Sequence, residues 1–295
     1  MKKENEDSTA NSEDDKYFSH EAIASEIRIL HLFNENYPEL QTPVPIKDKN
    51  GRLHTSMILN GKSVLCLLRK YIPGNELVKQ SVAYMKQAYR AGLAAAKLHN
   101  CSNQYLAGEY SNRPAHRQEY VQNVIHTIEQ GIHVGTITQA QFEIVKQSLE
   151  FVMTRMDEMD KRPDYLGIVH TDLRDANFLS EGENVIPIDF GRCVYGYLLY
   201  DLGEMCAHMS GDDGLAALEI VKGYHSLRKL SHYDIVTIEA FKMLFILSVV
   251  AEQILQKDNV YVYNTLKRLT EIDLVCLLSG KPVIQEIRSV LTNGH

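Results

Sequence analysis

Three oxygen-bearing side chains fall in one short stretch, GIVHTDLRDANFLSEGENVIPIDFG at positions 167–191: Asp172, Asn177, and Asp189 just ahead of Phe190-Gly191. Their types suit transfer of a phosphoryl group. That reaction needs an acceptor hydroxyl held in line with the leaving oxygen and the phosphate charge neutralised, and little covalent help. Asp172 on a loop can orient the hydroxyl and take its proton. Mg²⁺ takes hard oxygen ligands, one or two from protein and the rest from phosphates and water. The Asn177 amide oxygen and the Asp189 carboxylate supply two. His170 is expected to brace this catalytic loop by bonding to backbone, without touching substrate. Plainer readings exist for each residue: a solvated loop acid, an Asn capping a turn, an Asp ending a strand. A metal phosphohydrolase built on His170, Asp172 and Asp189 is a rival, but it leaves Asn177 unexplained and lacks further ligands at suitable spacing.

The elements that must hold these groups are two short strands and a turn. "GIVH" leads into the loop, "FLS" leaves it, "EGEN" turns the chain, and "NVIPID" returns it so that Asp189 comes back beside Asn177. Gly191 permits a sharp exit. Upstream, "SHEAIASEIRILHLFNEN" reads as a helix capped by Ser19, with Glu21 in its first turn and Ile23, Ile27 and Leu30 on one face. A strand-rich block follows, in which Asn60-Gly61 between apolar runs signals a hairpin. "TPVPI" precedes it and "SVLCLLRKYI" follows the turn. The spacing then predicts a helix over 76–100 with Val78, Val82, Met85 and Tyr89 on its apolar stripe. Another is expected over 114–130, and a third from Thr138, boxed with Gln141 and carrying Phe142, Val145, Leu149, Val152 and Met156. Beyond the opening stretch, helices are expected over 198–209, 213–226 and 232–256, with two more near the C-terminus.

"HTDLRDAN" followed by "IDFG" resembles the catalytic and metal loops of the aminoglycoside phosphotransferase and choline kinase-like superfamily, which has the protein-kinase-like fold. "AAAKLHN" at 94–100, "YIPGNEL" at 71–77 and "GYLLYDLGEM" at 196–205 are similar to other parts of that family. The resemblance implies an α+β, two-lobed fold with a small antiparallel-sheet N-lobe and a large, mainly helical C-lobe. The expected division is an acidic tail (1–18), a partial N-lobe (19–74) and a C-lobe (75–292). It implies a phosphotransferase that uses Mg²⁺ and ATP or GTP, with Asp172 as base and Asn177 and Asp189 on the metal. It further implies Glu26 as the acid that pairs with a phosphate-binding lysine, and Leu68, Arg69 and Tyr71 in a hinge that meets the nucleotide base. Arg174 would stand near the transferred phosphate, and Asp201 beneath the loop as a structural acid. His99 and His208 read as structural or surface residues, and Tyr195, Tyr197 and Tyr200 as packing or pocket-lining. The acceptor would be a small molecule with a hydroxyl, such as an aminoglycoside, amino alcohol or homoserine-like compound. Asp212 and Asp213 would suit a cationic one.

The family pattern also calls for a Gly-rich loop and a lysine-bearing strand ahead of the first helix. No glycine precedes Gly51, the only lysines there are Lys2, Lys3 and Lys16, and family spacing puts the phosphate-binding position near Asn11. The sequence reading is therefore of a shortened N-lobe, with weak Mg-ATP binding and slow turnover. The alternative function is a catalytically impaired, kinase-like binding or regulatory protein.

Composition narrows the rest. A formal charge of −7 without a Lys/Arg-rich run argues against nucleic acid and favours cationic small partners. Five scattered cysteines without a C-x-x-C fit a reducing cytoplasm, where they serve as core residues. "MKKENEDSTANSEDDK" has no apolar core, and the run "MLFILSVVA" is too short for a span, so no membrane segment is expected.

Overall fold

The structure, a computed structural model, describes residues 19–102, 113–209 and 214–291. The tail with Asn11 and Lys16, and the acidic pair Asp212 and Asp213, lie outside these residues. Ser19 accepts a hydrogen bond from the Ala22 N–H at 3.1 Å and starts helix α1 (His20–Asn36), which buries Ile23, Ile27, Leu30 and Phe33. The hairpin β1 (Thr55–Leu59) and β2 (Lys62–Cys66) turns through Asn60 and Gly61, both at positive φ (51° and 78°), as that dipeptide favours. "TPVPI" forms no full strand. It contributes one antiparallel bridge, Pro45 to Arg69, closed by Ile46 N–H to Leu68 O (2.8 Å) and Lys70 N–H to Val44 O (3.0 Å).

The helix expected over 76–100 begins later, as α2 (Tyr84–Ser102). Asn75–Glu76 instead forms β3 and pairs antiparallel with Ser180 and Leu179, which pulls the chain into extended form just before the helix. The predicted stripe is wrong in consequence: Val78, Val82 and Met85 are exposed. The buried face is made of Tyr84, Ala88, Ala91, Gly92, Ala95 and Leu98. Small residues win there because α6 (Leu215–Leu227) lies almost backbone to backbone with α2. A Cβ on Gly92 would sit 1.9 Å from the Ile220 carbonyl oxygen, and one on Gly223 would sit 1.8 Å from that of Tyr89.

The rest of the body is α3 (Gln118–Val134), α4 (Gln139–Asp160), α5 (Leu199–Met209), α7 (His232–Gln253), α8 (Val260–Arg268) and α9 (Leu274–Leu278), the last two joined by a π-helical turn at Leu269–Asp273. Thr138 and Gln141 form the anticipated capping box, and the five apolar residues expected on α4 are all buried. Two three-stranded sheets lie among the helices. One has the order β3-β6-β7, with β6 (Phe178–Glu181) and β7 (Asn184–Pro187). The other has the order β4-β8-β5, from Ala115–His116, Val194–Tyr197 and Leu166–Val169. Among the described residues no helix is long and apolar enough to cross a membrane. All five cysteines are unpaired; Cys101, Cys193 and Cys206 are buried, and Cys66 and Cys276 partly so.

Candidate active site

Strand β5 delivers the chain into the loop at His170 and Thr171, and a buried acid from another element fixes it there. Asp201, in the first turn of α5, accepts the His170 N–H (2.9 Å) on one oxygen and the Thr171 N–H (2.9 Å) on the other. Thr171 adopts positive φ (58°), an uncommon backbone for a β-branched residue, and these bonds hold it. His99 Nε2 donates a further bond to Asp201 at 2.9 Å, while its Nδ1 accepts from the Tyr224 hydroxyl at 3.0 Å. Burial alone would raise the Asp201 carboxyl, but these donors outweigh it and hold the group below the usual carboxylate range. Burial holds the His99 imidazole below its ordinary value, so it stays neutral and suits this bonding pattern. Asp201 and His99 are thus the structural groups the sequence suggested.

His170 is fully buried, and its Nε2 meets the Ile188 carbonyl oxygen at 3.0 Å. The ring packs edge-on against Phe190, with centroids 4.8 Å apart. It therefore ties this loop to the strand entering Asp189. Asn177 Nδ2 donates to the Asp172 carbonyl oxygen at 2.8 Å, and the Ile188 N–H donates to the Asn177 carbonyl at 2.9 Å. Asp172 is thereby one hydrogen bond from Asn177, which is one hydrogen bond from the residue next to Asp189. Arg174 Nε lies 3.1 Å from Asp172 Oδ1.

With Nδ2 engaged, the Asn177 side chain keeps its amide oxygen for another partner. Asp189 is exposed at positive φ (65°) and makes no hydrogen bond or ion pair with any described residue. An amide oxygen just before β6 and a carboxylate just after its partner β7 are of the kind that suits Mg²⁺, which takes few protein ligands and completes its shell with phosphate and water. Among the described residues no group of three or more His, Cys, Asp or Glu could hold a metal by itself.

Glu26 is buried on α1, and its charge partner is Arg69, from the segment anticipated as the hinge. The upstream lysine expected to pair with Glu26 lies outside the described residues. Leu68 and Tyr71 are exposed beside it. Because the backbone groups of Leu68 and Lys70 face Val44 and Ile46, alternation turns those of Arg69 and Tyr71 the other way.

Sequence reasoning missed Arg113. Its side chain is buried, and every recorded contact is to an uncharged oxygen: Ser25 Oγ (3.2 Å) and the carbonyls of Ala22 (2.7 Å), Cys193 (2.5 Å) and Gly191 (3.4 Å). It ties α1 to the chain leaving Phe190-Gly191. A lone Arg just ahead of a two-residue strand carries no motif, so no local signal pointed to it. Glu204 was missed as well. Burial, reinforced by Asp201 and Asp172, pushes its carboxyl well above the usual range.

A small strand-bearing unit with a buried helix acid, stacked on a helical body that presents a braced Asp–Asn–Asp loop, defines a kinase-like phosphotransferase. The profile of the APH phosphotransferase enzyme family matches residues 15–235, and the chain belongs to that family, whose chemistry is phosphotransfer to an alcohol group. No curated protein matches it. Solved structures share the fold. A microcompartment-associated aminopropanol kinase is 19% identical, with a TM-score of 0.69 over 90% of this chain and 83% of its own. An amicoumacin kinase in complex with AMP-PNP, Ca²⁺ and Ami is 17% identical, with a TM-score of 0.65 over 90% and 80%. A choline/ethanolamine kinase family protein from Mesorhizobium loti is 15% identical, with a TM-score of 0.56 over 91% and 83%.

Proposed function

We propose that this chain moves the γ-phosphoryl group of ATP, or of GTP, to the hydroxyl of a small molecule, and that it does so in the cytoplasm. The observation that carries the reading is the hydrogen-bonded run from Asp172 through Asn177 to Ile188, next to Asp189. It ties the backbone of Asp172 to Asn177 and that of Asn177 to the residue before Asp189, which supports a shared role for the three. In this reading the Asp172 carboxylate orients the acceptor hydroxyl and takes its proton. Mg²⁺ held by Asn177 and Asp189 would supply charge neutralisation at the phosphates. Asp201 and His170 hold the loop in shape, and Arg174, paired with Asp172, steers that carboxylate and stands ready for phosphate oxygen. Arg69 and Glu26 furnish the acid–cation pair on the nucleotide side, with the free backbone groups of Arg69 and Tyr71 offered to the base. The solved amicoumacin kinase binds AMP-PNP, which supports the choice of nucleotide. Unpaired cysteines suit the proposed compartment.

The test uses the purified full-length chain. Mg²⁺ with ATP should raise its melting temperature, and neither alone should do so fully. Asp172→Asn should keep that shift and lower turnover by about 10²–10⁴, the usual contribution of a positioned general base. Asp189→Asn should weaken the Mg²⁺-dependent part of the shift. Absence of any nucleotide effect at millimolar ATP, in the presence of Mg²⁺, overturns the reading.

A further inference from the structure

A cavity of ≈ 470 Å³ opens beside the catalytic turn, between the end of α5, the middle of α7 and the α8 region. That is the size of a small-ligand site. Its connection to the turn is short. Lys79, on its wall, donates to the His208 carbonyl oxygen at 2.6 Å and lies 3.5 Å from Asp175 Oδ2. Asp175 opens the short helical turn that ends in Asn177. His208, another wall residue, lies within electrostatic reach of both Asp172 and Arg174.

The charge of this cavity runs against that of the protein. The chain carries a formal −7, yet the described wall holds Lys79, Lys242 and Arg268 against the single carboxylate of Asp273. Two of the three cations have partners: Lys79 has Asp175, and Arg268 Nε lies 3.2 Å from Asp273 Oδ2. Lys242 makes no hydrogen bond or ion pair with any described residue. It is half-buried on α7, and that burial lowers its pKa below the ordinary lysine value. A desolvated ammonium on the wall of this cavity, which the carboxylates of Asp273 and Glu239 reach only from beyond ion-pair distance, gains from an anionic ligand. Tyr261 and Asn264 add polar side chains at the rim.

We propose that this cavity is the acceptor site and that it takes a small hydroxy acid, whose carboxylate sits on Lys242 while its hydroxyl reaches Asp172. The inference rests on the phosphotransferase reading and reverses the expectation of a cationic acceptor. In the transfer, the acceptor oxygen forms a bond to the γ-phosphorus as the bond from that phosphorus to the bridging oxygen breaks. ADP leaves with the electron pair, and the hydroxyl proton passes to the Asp172 carboxylate.

Three probes of one chain length isolate the charge: γ-hydroxybutyrate, the amino alcohol with ammonium in place of carboxylate, and the uncharged diol. Binding to the full-length protein with Mg-AMP-PNP is read by ligand-observed NMR, and turnover by ADP release. The acid should bind about tenfold or more tightly than either analogue, the size of one charge-assisted contact. Lys242→Gln should remove that preference, and Lys242→Glu should transfer it to the amine. A preference for the amine or the diol overturns the inference, as does failure of the acid to bind at millimolar concentration or an unchanged preference in Lys242→Gln. If the variants do not fold, the ranking of the three probes on the wild-type chain still decides. Loss of the Mg-ATP thermal shift speaks against the phosphotransferase reading alone, because charge-selective binding can be read without nucleotide.

Discussion

Replacing Arg113 by Met keeps the length of the side chain and removes all of its donors. Two of the four contacts decide the magnitude, those to the carbonyls of Cys193 at 2.5 Å and Ala22 at 2.7 Å. The Gly191 contact is at the long limit, and the Ser25 hydroxyl can turn to another acceptor. Hydrogen bonds to a charged donor contribute about 1.5–3 kcal/mol each, so the gross loss is roughly 3–6 kcal/mol. Removing a buried guanidinium that has no carboxylate partner returns part of this, which leaves a net destabilisation of about 2–4 kcal/mol. The loss should not be spread evenly, because Arg113 joins α1 to the chain just beyond Asp189. Denaturant unfolding of Arg113→Met should show the drop in stability. A Mg²⁺ titration of ATP binding, made by calorimetry well below the melting transition, should show a several-fold weaker half-point. Arg113→Lys retains the charge but cannot span both carbonyls, and should fall between. If Arg113→Met unfolds at the same denaturant concentration as wild type and titrates with Mg²⁺ at the same point, Arg113 does not link these elements and the reasoning fails.

Asp201→Asn places an amide N–H₂ against at least one of the N–H groups of His170, Thr171 and His99, and should cost about 2–4 kcal/mol of stability in denaturant unfolding as well as most of the turnover. Gly223→Ala, which elsewhere in a helix would stabilise by about 1 kcal/mol, should destabilise by about 3 kcal/mol or more, because its Cβ meets a backbone carbonyl at 1.8 Å; a melting temperature at or above wild type would refute the close packing of α2 on α6. Glu204 carries a raised pKa, faced by Asp201, Asp172 and Arg174, with His208 Nε2 at 3.9 Å. A carboxyl raised in the folded state contributes its stability at low pH and loses it as pH rises through the folded value. Wild type should thus lose stability towards neutral and alkaline pH relative to Glu204→Gln, while the two converge below the ordinary Glu range; melting curves across pH check this.

The proposed chemical centre could be put forward from the sequence because its members are close neighbours in the chain. Asp172 and Asn177 share one turn, and a single hairpin brings Asp189 back, so local rules of strand and turn suffice. Residues that meet the site from elsewhere could not be read in this way. Arg113 stands between distant segments, Lys242 is one position on a long buried helix, and Glu26 finds its partner in Arg69 across the small sheet. The misplaced start of α2 has a related cause. A Val, Val, Met stripe looks more apolar than an Ala–Gly face, but the closeness of α6 makes the smaller residues the packing surface. The acidic loop offered for a cationic acceptor was judged on composition alone, whereas the wall of the neighbouring cavity gathers cations from segments far apart in the chain.

The pairing of Asn75 and Glu76 with Ser180 and Leu179 has a mechanical consequence. Just before it, Gly74 holds φ of 144°, and a Cβ there would crowd Leu179 Cβ and the Ser180 carbonyl oxygen at 3.1 Å. The small unit is therefore moored by a two-residue strap to the strand that runs out of Asn177. A change in the angle of that unit would pass through Pro73 and Gly74, directly beside the β6–β7 hairpin. Stiffening the strap would therefore be felt at both ends, in the small unit and in the hairpin that leads to Asp189.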